Sequence, residues 1–189
     1  MREGVPMSDV SLTTALGYAH SPGNLVQRGL RRLAGSRHGA AALSRTLRHA
    51  DGLVSRRTEG RHSAASLATG LSVLTLTTTG RRSGARRTSH LIATPFGDDL
   101  ALLGTNFGQS TTPAWALNLE AHPECTVAYG DRELPALARA ATPVEADEVF
   151  DLASRFYVGY AHYRKRIGDS RRIRVFVLSS RPHSSDAAQ

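Results

Sequence analysis

The chain has 189 residues, of which 40% are hydrophobic and 21% charged, a composition typical of one soluble globular domain with a full hydrophobic core. No apolar run approaches the roughly 20 residues of a membrane-spanning helix, and the N-terminus lacks a secretory signal pattern. Cys125 is the only cysteine, so an intrachain disulfide is excluded and a reducing cytoplasm is expected.

The first 70 residues carry most of the excess positive charge. Residues 1–61 contain ten arginines and four acidic residues, which accounts for +6 of the net charge of +8. Residues 1–23 are small and polar and are predicted to form a loose tail. Residues 24–70 are predicted to form a basic arm, because apolar residues recur at helical spacing within residues 24–57 and arginines fill the positions between them.

Two interpretations of this arm stay open. Its apolar stripes pack on the main domain, or residues 24–57 contact an anionic membrane surface, which would place a cytoplasmic protein at the inner face of the membrane. The arm has neither interleaved aromatic residues nor a recognisable nucleic-acid motif, so nucleic acid is not predicted as a partner.

From Leu71 the hydrophobic pattern changes to the alternation of strands. Six strands are predicted, over residues 71–79, 88–96, 99–103, 124–130, 132–141 and 171–179. A short helix is predicted to begin at Thr112-Pro113 and a long helix at Thr142-Pro143, in each case with Thr as the cap and Pro at the first position.

Short connections between consecutive strands indicate an antiparallel meander. The expected fold is mainly β (α+β), a split antiparallel β-barrel of about six strands over residues 71–180 with one short and one long inserted helix. The N-terminal helical arm precedes this barrel, and residues 181–189 form a polar tail. Closing the sheet is a common way to remove its exposed edges.

The connection between the first two predicted strands is strongly basic. Residues 80–87, GRRSGARR, are called the arginine turn here. Each guanidinium offers a planar fork of donors suited to phosphate or carboxylate, and the glycines let backbone N–H groups approach a ligand. The turn is therefore interpreted either as an anion-binding device or as a solvated basic hairpin. Nothing in the sequence indicates that Arg86 points inward.

Two further segments are candidates for chemistry. A polar glycine loop over residues 104–113 leads into a helix N-terminus, which favours anions, and Trp115 follows as either a core residue or a cofactor contact. Tyr157, Tyr160 and Tyr163 lie on one helical stripe, which forms either a packed aromatic surface or a pocket wall that donates protons. Dinucleotide, Walker and nucleophile-elbow motifs are absent, and the histidines lack zinc-site spacing, so no metal site is expected.

Four motifs in this order carry a family resemblance: TTTGRRSG-x-RR, GTNFG, PAWALNLEAHP and Y-x-x-Y-x-x-Y. Together they resemble the deazaflavin-dependent nitroreductase family of actinobacteria, whose fold is similar to that of the flavin-binding split β-barrels. The resemblance covers about residues 71–179. It implies coenzyme F420 as the cofactor, a deazaflavin with a phosphate and an oligoglutamate tail.

The resemblance also implies a set of site residues. Those implied to bind the tail and the ring approach are Arg81, Arg82, Ser83, Arg87, Thr88, Ser89, His90, Leu91 and Ile92. Those implied in the loop and short helix are Gly104, Thr105, Asn106, Phe107, Gly108, Ala114, Trp115, Ala116, Leu117 and Asn118. Tyr157, Tyr160 and Tyr163 are implied to line the substrate pocket, and Tyr160 or Tyr163 to donate a proton. Many members have Lys at position 82 and Gly at position 107, and Tyr is common at position 116.

The expected function is that of an F420H2-dependent reductase. It would transfer a hydride to a small electron-poor acceptor such as a quinone, an activated alkene or a nitroaromatic. One alternative keeps the barrel but binds FMN. Another is a non-catalytic protein that binds anions or a membrane surface. A homodimer is compatible with the fold, although nothing in the sequence specifies it.

Overall fold

Seven antiparallel strands form one curled sheet in this computed structural model, which describes residues 11–20 and 71–181. The strands are β1 (Leu74–Thr79), β2 (Arg86–Leu91), β3 (Thr94–Phe96), β4 (Asp99–Leu103), β5 (Glu124–Tyr129), β6 (Arg132–Ala140) and β7 (Val175–Ser180). Their order across the sheet is β2-β1-β5-β6-β7-β4-β3. The predicted mainly β, split-barrel class is confirmed. The arm over residues 24–70 and residues 182–189 of the predicted tail lie outside the described residues.

Within residues 11–20 and 71–181, four helices accompany the sheet, namely α1 (Leu12–Leu16), α2 (Ala114–Ala121), α3 (Pro143–Phe156) and α4 (Gly159–Ile167). The same part of the chain also has short 3-10 turns over Asn106–Gly108 and Gly168–Ser170. None of these described helices combines the length and hydrophobicity needed to cross a membrane.

The alternation of side chains along the strands builds two cores. The inner core joins one face of the sheet, with residues such as Leu76 and Leu178, to helices α1 and α2. The outer core joins residues such as Ala101 and Val177 of the other face to helices α3 and α4. Because consecutive strand residues point to opposite faces, strands β4 and β7 contribute to both cores.

The predicted strand over residues 88–96 is two strands, which raises the count from six to seven. The strand is interrupted at Ile92-Ala93, and the two resulting strands, β2 and β3, lie at opposite edges of the sheet. The Ala93 N–H donates to the Tyr18 hydroxyl at 3.0 Å, and the Ala93 carbonyl accepts from the same hydroxyl at 3.3 Å. These backbone groups therefore have partners other than a neighbouring strand at the break.

The predicted long helix is also divided in two. Thr142 and Glu145 form a capping box at the start of α3, as the Thr142-Pro143 signal predicts. The helix ends at Phe156, and Tyr157 is extended with φ −142°. The Tyr157 ring occupies the space that a Cβ atom on residue 159 would need, so the glycine there permits this packing.

The start of the short helix differs from the prediction. Pro113 occupies the N-cap position without a side-chain cap, and the helix begins at Ala114. Thr112 was expected to cap it, but its hydroxyl instead accepts a hydrogen bond from Arg174 Nη1 at 3.1 Å. This contact ties the loop before the helix to the segment before β7.

Residues 11–20 contain a helix and buried side chains, so the prediction of a loose tail over residues 1–23 is wrong for this segment. Ser11 caps helix α1, and Leu12, Leu16 and Tyr18 are buried in the inner core. The Tyr18 hydroxyl donates to the carbonyl oxygen of Ser72 at 2.6 Å. Small and polar composition suggested a tail, but these three large side chains supply enough buried apolar surface to dock the segment.

Candidate functional site

The arginine turn is a tight hairpin between β1 and β2. The Gly80 N–H donates to the Ala85 carbonyl oxygen and the Gly84 N–H to the Gly80 carbonyl oxygen, each at 2.8 Å. Gly84 has φ +66°, and a Cβ atom on Gly80 would lie 3.0 Å from the Ala85 oxygen. Glycine is therefore favoured at both positions, and the turn carries four arginines within residues 81–87.

The four arginines of this turn are exposed and make no ion pair with any described residue. Elsewhere in residues 71–181, arginines do pair with acids: Arg139–Glu145, Arg164–Asp147, Arg174–Glu120 and Arg181–Glu124. A group of cations lacking protein carboxylates is suited to an anionic ligand.

The register of β2 divides the predicted stretch between two faces. Arg87, Ser89 and Leu91 lie opposite β1 residues whose side chains are buried, so they share the inner face. Thr88 and His90 lie on the other face, with Arg86, and are exposed. Residues 88–92 therefore cannot all line one surface. Of the residues implied to line the approach to the cofactor ring, Ser89 and Leu91 are the ones on the inner face.

Asn118 holds the arginine turn from helix α2. Its Oδ1 accepts from the Arg81 N–H at 3.1 Å, and its Nδ2 donates to Thr78 Oγ1 at 3.0 Å. The Thr78 hydroxyl in turn donates to the Arg87 carbonyl oxygen at 3.3 Å. Asn118 is only 6% exposed, so its amide is committed to the protein backbone and to Thr78. The structure favours a positioning role over the direct cofactor contact expected for it.

The other α2 residues divide into core and surface. Trp115 and Ala116 are buried in the inner core, where the Trp115 ring meets Phe176 edge to face at a centroid distance of 6.1 Å. This supports the interpretation of Trp115 as a core residue. Ala114 is exposed and Leu117 partly exposed, so these two remain accessible to a ligand.

The glycine loop lies between the sheet and helix α4. The Gly104 N–H donates to the Arg174 carbonyl oxygen at 2.8 Å, and Thr105 is buried. Further along the loop, the Phe107 ring packs edge to face against Tyr163 at a centroid distance of 6.4 Å. The loop thus brings the predicted cofactor residues into contact with the predicted tyrosine wall.

The three tyrosines form one buried cluster, called the tyrosine cluster below. The Tyr157 and Tyr163 hydroxyls are 2.8 Å apart, and the Tyr160 hydroxyl donates to the Ile92 carbonyl oxygen at 3.3 Å. Helix α4 carries Tyr160 and Tyr163, while Tyr157 lies at the break before it. The stripe predicted on one helix is therefore assembled from helix α4 and the break between α3 and α4.

Burial raises the pKa of all three phenols above the ordinary value of 10.0. For Tyr163 the hydrogen bond with Tyr157 and the charge of Arg166 act in the opposite direction and lower the pKa. For Tyr160 both burial and the nearby Tyr163 raise it. Arg166 also lowers the pKa of Tyr157, but there the hydrogen bond with Tyr163 raises it, so Tyr163 is the member of the cluster whose ionised form is favoured by both neighbours.

Three residues near this cluster were missed by the sequence reasoning. His20 stacks on Phe156 at 4.0 Å, and the Phe156 ring meets Tyr160 at 6.2 Å, so the N-terminal segment reaches the cluster. Arg166 follows Tyr163 by three residues, and this helical spacing could have identified it. Arg171, which binds the glycine loop, had no comparable signal.

Within residues 11–20 and 71–181, no group of three or more His, Cys, Asp or Glu side chains could hold a metal ion. Cys125 is buried, and this burial raises the pKa of its thiol to about 12. The thiol is therefore neutral at ordinary pH and is a poor nucleophile.

Comparison with known proteins gives the site its context. The model of the F420H(2)-dependent quinone reductase family matches residues 47–180. A solved structure of an F420-H2 dependent reductase, FDR-A, is 30% identical, covers 57% of this chain and 93% of its own, and has a TM-score of 0.52. A second structure, described as a domain-swapped dimer, is 27% identical, covers 68% of this chain and 95% of its own, and has a TM-score of 0.54. The chain belongs to the F420H(2)-dependent quinone reductase family.

Proposed function

We propose that this F420H2-dependent reductase acts on a quinone, with the arginine turn holding the anionic tail of the cofactor and Tyr163 supplying a proton. The observation that carries the proposal is the set of four exposed guanidiniums on one turn, none paired with a described acid. Coenzyme F420 presents a phosphate and several carboxylates, so its tail matches the charge that the turn leaves uncompensated.

The arrangement of the turn supports a specific set of contacts. Arg87 and Ser89 share the inner face of β2, while Arg81 and Arg82 lie at the tip of the hairpin. Arg86 lies on the other face of β2, where its register partner on β1 is Thr79. We therefore assign tail binding to Arg81, Arg82 and Arg87 and assign no contact to Arg86.

Reduction of a quinone to a hydroquinone requires one hydride and one proton. When bound, the reduced deazaflavin supplies the hydride. Tyr163 donates its hydroxyl proton to a quinone oxygen, and the resulting phenolate is stabilised by Tyr157 and Arg166 before water reprotonates it. Tyr160 has a backbone carbonyl as its hydrogen-bond acceptor and lacks such support, so it shapes the pocket.

A ligand titration tests the cofactor part of this proposal. The wild-type protein is titrated with F420H2 and with FMN, and the tighter ligand is expected to be F420H2. Arg82→Ala is expected to weaken F420H2 binding about tenfold, the loss of one charge-assisted hydrogen bond. Arg181→Ala serves as the matched control, because Arg181 is an exposed arginine outside the turn. Tighter binding of FMN, or equal F420H2 affinity in both variants, contradicts the proposal.

Assembly and membrane contact are further proposals. A structurally similar protein described as a domain-swapped dimer supports a homodimer here, to be tested by light scattering on the purified chain.

Contact of residues 24–57 with anionic lipid is to be tested by flotation of the full chain with anionic and neutral vesicles at low and high salt. Binding that needs anionic lipid and disappears at high salt supports the contact.

A further inference from the structure

The turn Asn106–Gly108 has an unusual backbone. Asn106 has φ +46° and Phe107 φ +56°, so two consecutive residues with side chains lie in the left-handed region. This conformation is unfavourable for L residues, and for a bulky residue such as Phe it is a genuine outlier. Such outliers persist only where the surrounding contacts enforce them, and they concentrate at functional sites.

Contacts from three directions enforce this conformation. Asn106 Nδ2 donates to the Thr111 carbonyl oxygen at 3.1 Å and to its Oγ1 at 3.0 Å. Arg171 donates to the carbonyl oxygens of two other loop residues, at 3.0 and 3.1 Å. Arg166, from the last turn of α4, donates to the carbonyl oxygen of Phe107 at 3.1 Å. The loop is therefore fixed on both sides of Phe107 and at Phe107 itself.

The enforced conformation places the turn directly on the tyrosine cluster. The Phe107 ring meets Tyr163 edge to face, at an interplanar angle of 73°. A Cβ atom on Gly108 would lie 3.2 Å from Tyr163 Cδ1 and 3.0 Å from Arg166 Nη1. Phe107 is partly exposed and Tyr163 only 2% exposed, so Phe107 is the outer of the two rings.

This packing has a consequence for any acceptor. A proton donor must come within about 2.6–3.2 Å of the atom that it protonates. The Tyr163 hydroxyl is bonded to Tyr157 inside the cluster, and the Phe107 ring lies against the ring of Tyr163. An acceptor that reaches this hydroxyl must fit beside Phe107, so the size of this side chain sets the room available.

We propose that Phe107 is a specificity-determining residue that limits the size of the acceptor admitted to Tyr163. The inference rests on the proposed function, in which Tyr163 protonates the acceptor. One-ring quinones are admitted beside Phe107, and fused-ring quinones are disfavoured by contact with it.

The first measurement is acceptor preference. We expect Phe107→Ala to raise the ratio of kcat/KM for a naphthoquinone over that for a benzoquinone by about tenfold, a typical effect of enlarging an apolar pocket. Phe107→Gly is measured in parallel, because it removes the ring and also relieves the positive φ, which keeps the test valid if the alanine variant folds poorly. Phe96→Ala is the matched control, since Phe96 also packs on the outer core but lies on β3. The control is expected to leave the ratio unchanged.

The second measurement needs neither cofactor nor acceptor. The proteins are treated with tetranitromethane, and nitrated tyrosines are located by peptide mass spectrometry. Tyr163 is expected to be protected in the wild type and in Phe96→Ala and to be modified severalfold faster in both Phe107 variants. Tyr129, which is partly exposed, reports the common reactivity of all samples.

The outcomes are distinguishable from those of the proposed function. An unchanged acceptor ratio in an active Phe107 variant overturns the inference, whether or not Tyr163 becomes reactive, and leaves the proposed function intact. Continued protection of Tyr163 from nitration in both Phe107 variants would show that Phe107 does not limit access to Tyr163, which also overturns the inference. If the wild type binds F420H2 but reduces no quinone, the proposed function fails and this inference fails with it.

Discussion

Asn118 links three parts of the site through a single amide. It holds the Arg81 N–H and the Thr78 hydroxyl, and Thr78 extends the network to the backbone of Arg87. A cluster of like charges repels itself, so the arginine turn needs such a support to stay compact before a ligand arrives. At the residue scale, this neutral side chain fixes the backbone that carries the cations.

Replacing Asn118 by Ala is expected to destabilise the fold and to weaken cofactor binding together. The Arg81 N–H and the Thr78 hydroxyl lose a buried partner, which costs about 1–3 kcal/mol. The measurements are urea denaturation and F420H2 titration. Gln109→Ala removes an exposed amide from the glycine loop and serves as the control for both. Full stability of Asn118→Ala with unchanged affinity would show that the network has no structural role.

Replacing Tyr163 by Phe removes the proposed proton donor and leaves the ring. We expect kcat to fall by about 10²-fold or more, the usual contribution of general acid catalysis, with the affinity for F420H2 retained. Tyr129→Phe is the matched control. Steady-state oxidation of F420H2 by a quinone measures the effect.

The pH dependence of the wild type follows from the same residue. Because burial raises the pKa of Tyr163 above the ordinary value of 10.0, this group stays protonated, and able to donate, through neutral and mildly alkaline pH. A loss of activity with rising pH is therefore expected only in more alkaline solution. A loss with a midpoint near neutrality that disappears in Tyr163→Phe would contradict this assignment.

At the element scale, the start of α3 combines a capping box with a proline in its first turn. Glu145 accepts from the Thr142 N–H and pairs with Arg139 through both of its oxygens. The hydrogen bond from Arg139, with that from Thr142, lowers the pKa of Glu145 from 4.5 to about 2. The ionised carboxylate is therefore favoured by folding.

This capping box predicts a pH-dependent stability difference. The folded-state pKa of Glu145 is depressed, so its contribution is complete above pH 4.5 and is lost as the pH falls towards 2. Glu145→Gln is expected to lower Tm at pH 7, and its difference from the wild type is expected to shrink across that acidic range. Glu148→Gln, on the exposed side of α3, is the control. A difference between wild type and Glu145→Gln that is the same at pH 7 and pH 2.5 would contradict the prediction.

Element boundaries show where sequence patterns suffice. The Thr-Pro signal at residue 142 is correct because the cap, the proline and Glu145 all act within one turn. The same signal at Thr112 is misleading because a distant residue, Arg174, takes the hydroxyl. Likewise the division of the strand 88–96 depends on Tyr18, which is more than 70 residues away in the chain. Sequence patterns therefore predict an element boundary where neighbouring residues determine it, and they fail where a residue distant in the chain does.

At the scale of the whole molecule, the segment 11–20 joins both cores. Leu12, Leu16 and Tyr18 pack in the inner core, while His20 bonds to the Ala93 carbonyl oxygen and stacks on Phe156 beside the tyrosine cluster. The segment therefore couples the sheet to the helices that carry the candidate catalytic residue. Removing it would expose both the inner core and one side of this cluster.

The substitution Tyr18→Phe tests this coupling by removing a single hydroxyl group. The Ala93 N–H and the Ser72 carbonyl lose the hydroxyl that bonds them, and we expect the free energy of unfolding to fall by about 1–3 kcal/mol. Thermal unfolding measures the effect, with Tyr129→Phe for comparison because its hydroxyl makes one bond, to Ser72 Oγ. An unchanged Tm in Tyr18→Phe would show that the segment is held by its apolar residues alone.

The site shows the same division between local and distant information. Residue types at the arginine turn and the tyrosines were readable because charge and aromatic spacing are local properties of the chain. Whether a residue contacts the ligand depends on which face of β2 it occupies and on whether it is buried, as Thr88 and Trp115 illustrate. Those properties arise only when distant strands and helices meet.

Strand β7, the last of the described strands along the chain, lies in the interior of the sheet. Strand β7 pairs with β6 on one side and β4 on the other, so the group β2-β1-β5-β6 and the pair β4-β3 have no strand-to-strand connection without it. During synthesis on the ribosome, both groups would wait with unpaired edges until residues 175–180 emerge. The sheet can therefore be completed only after residues 175–180 have emerged, and a chain interrupted before β7 would present two open edges to other nascent chains.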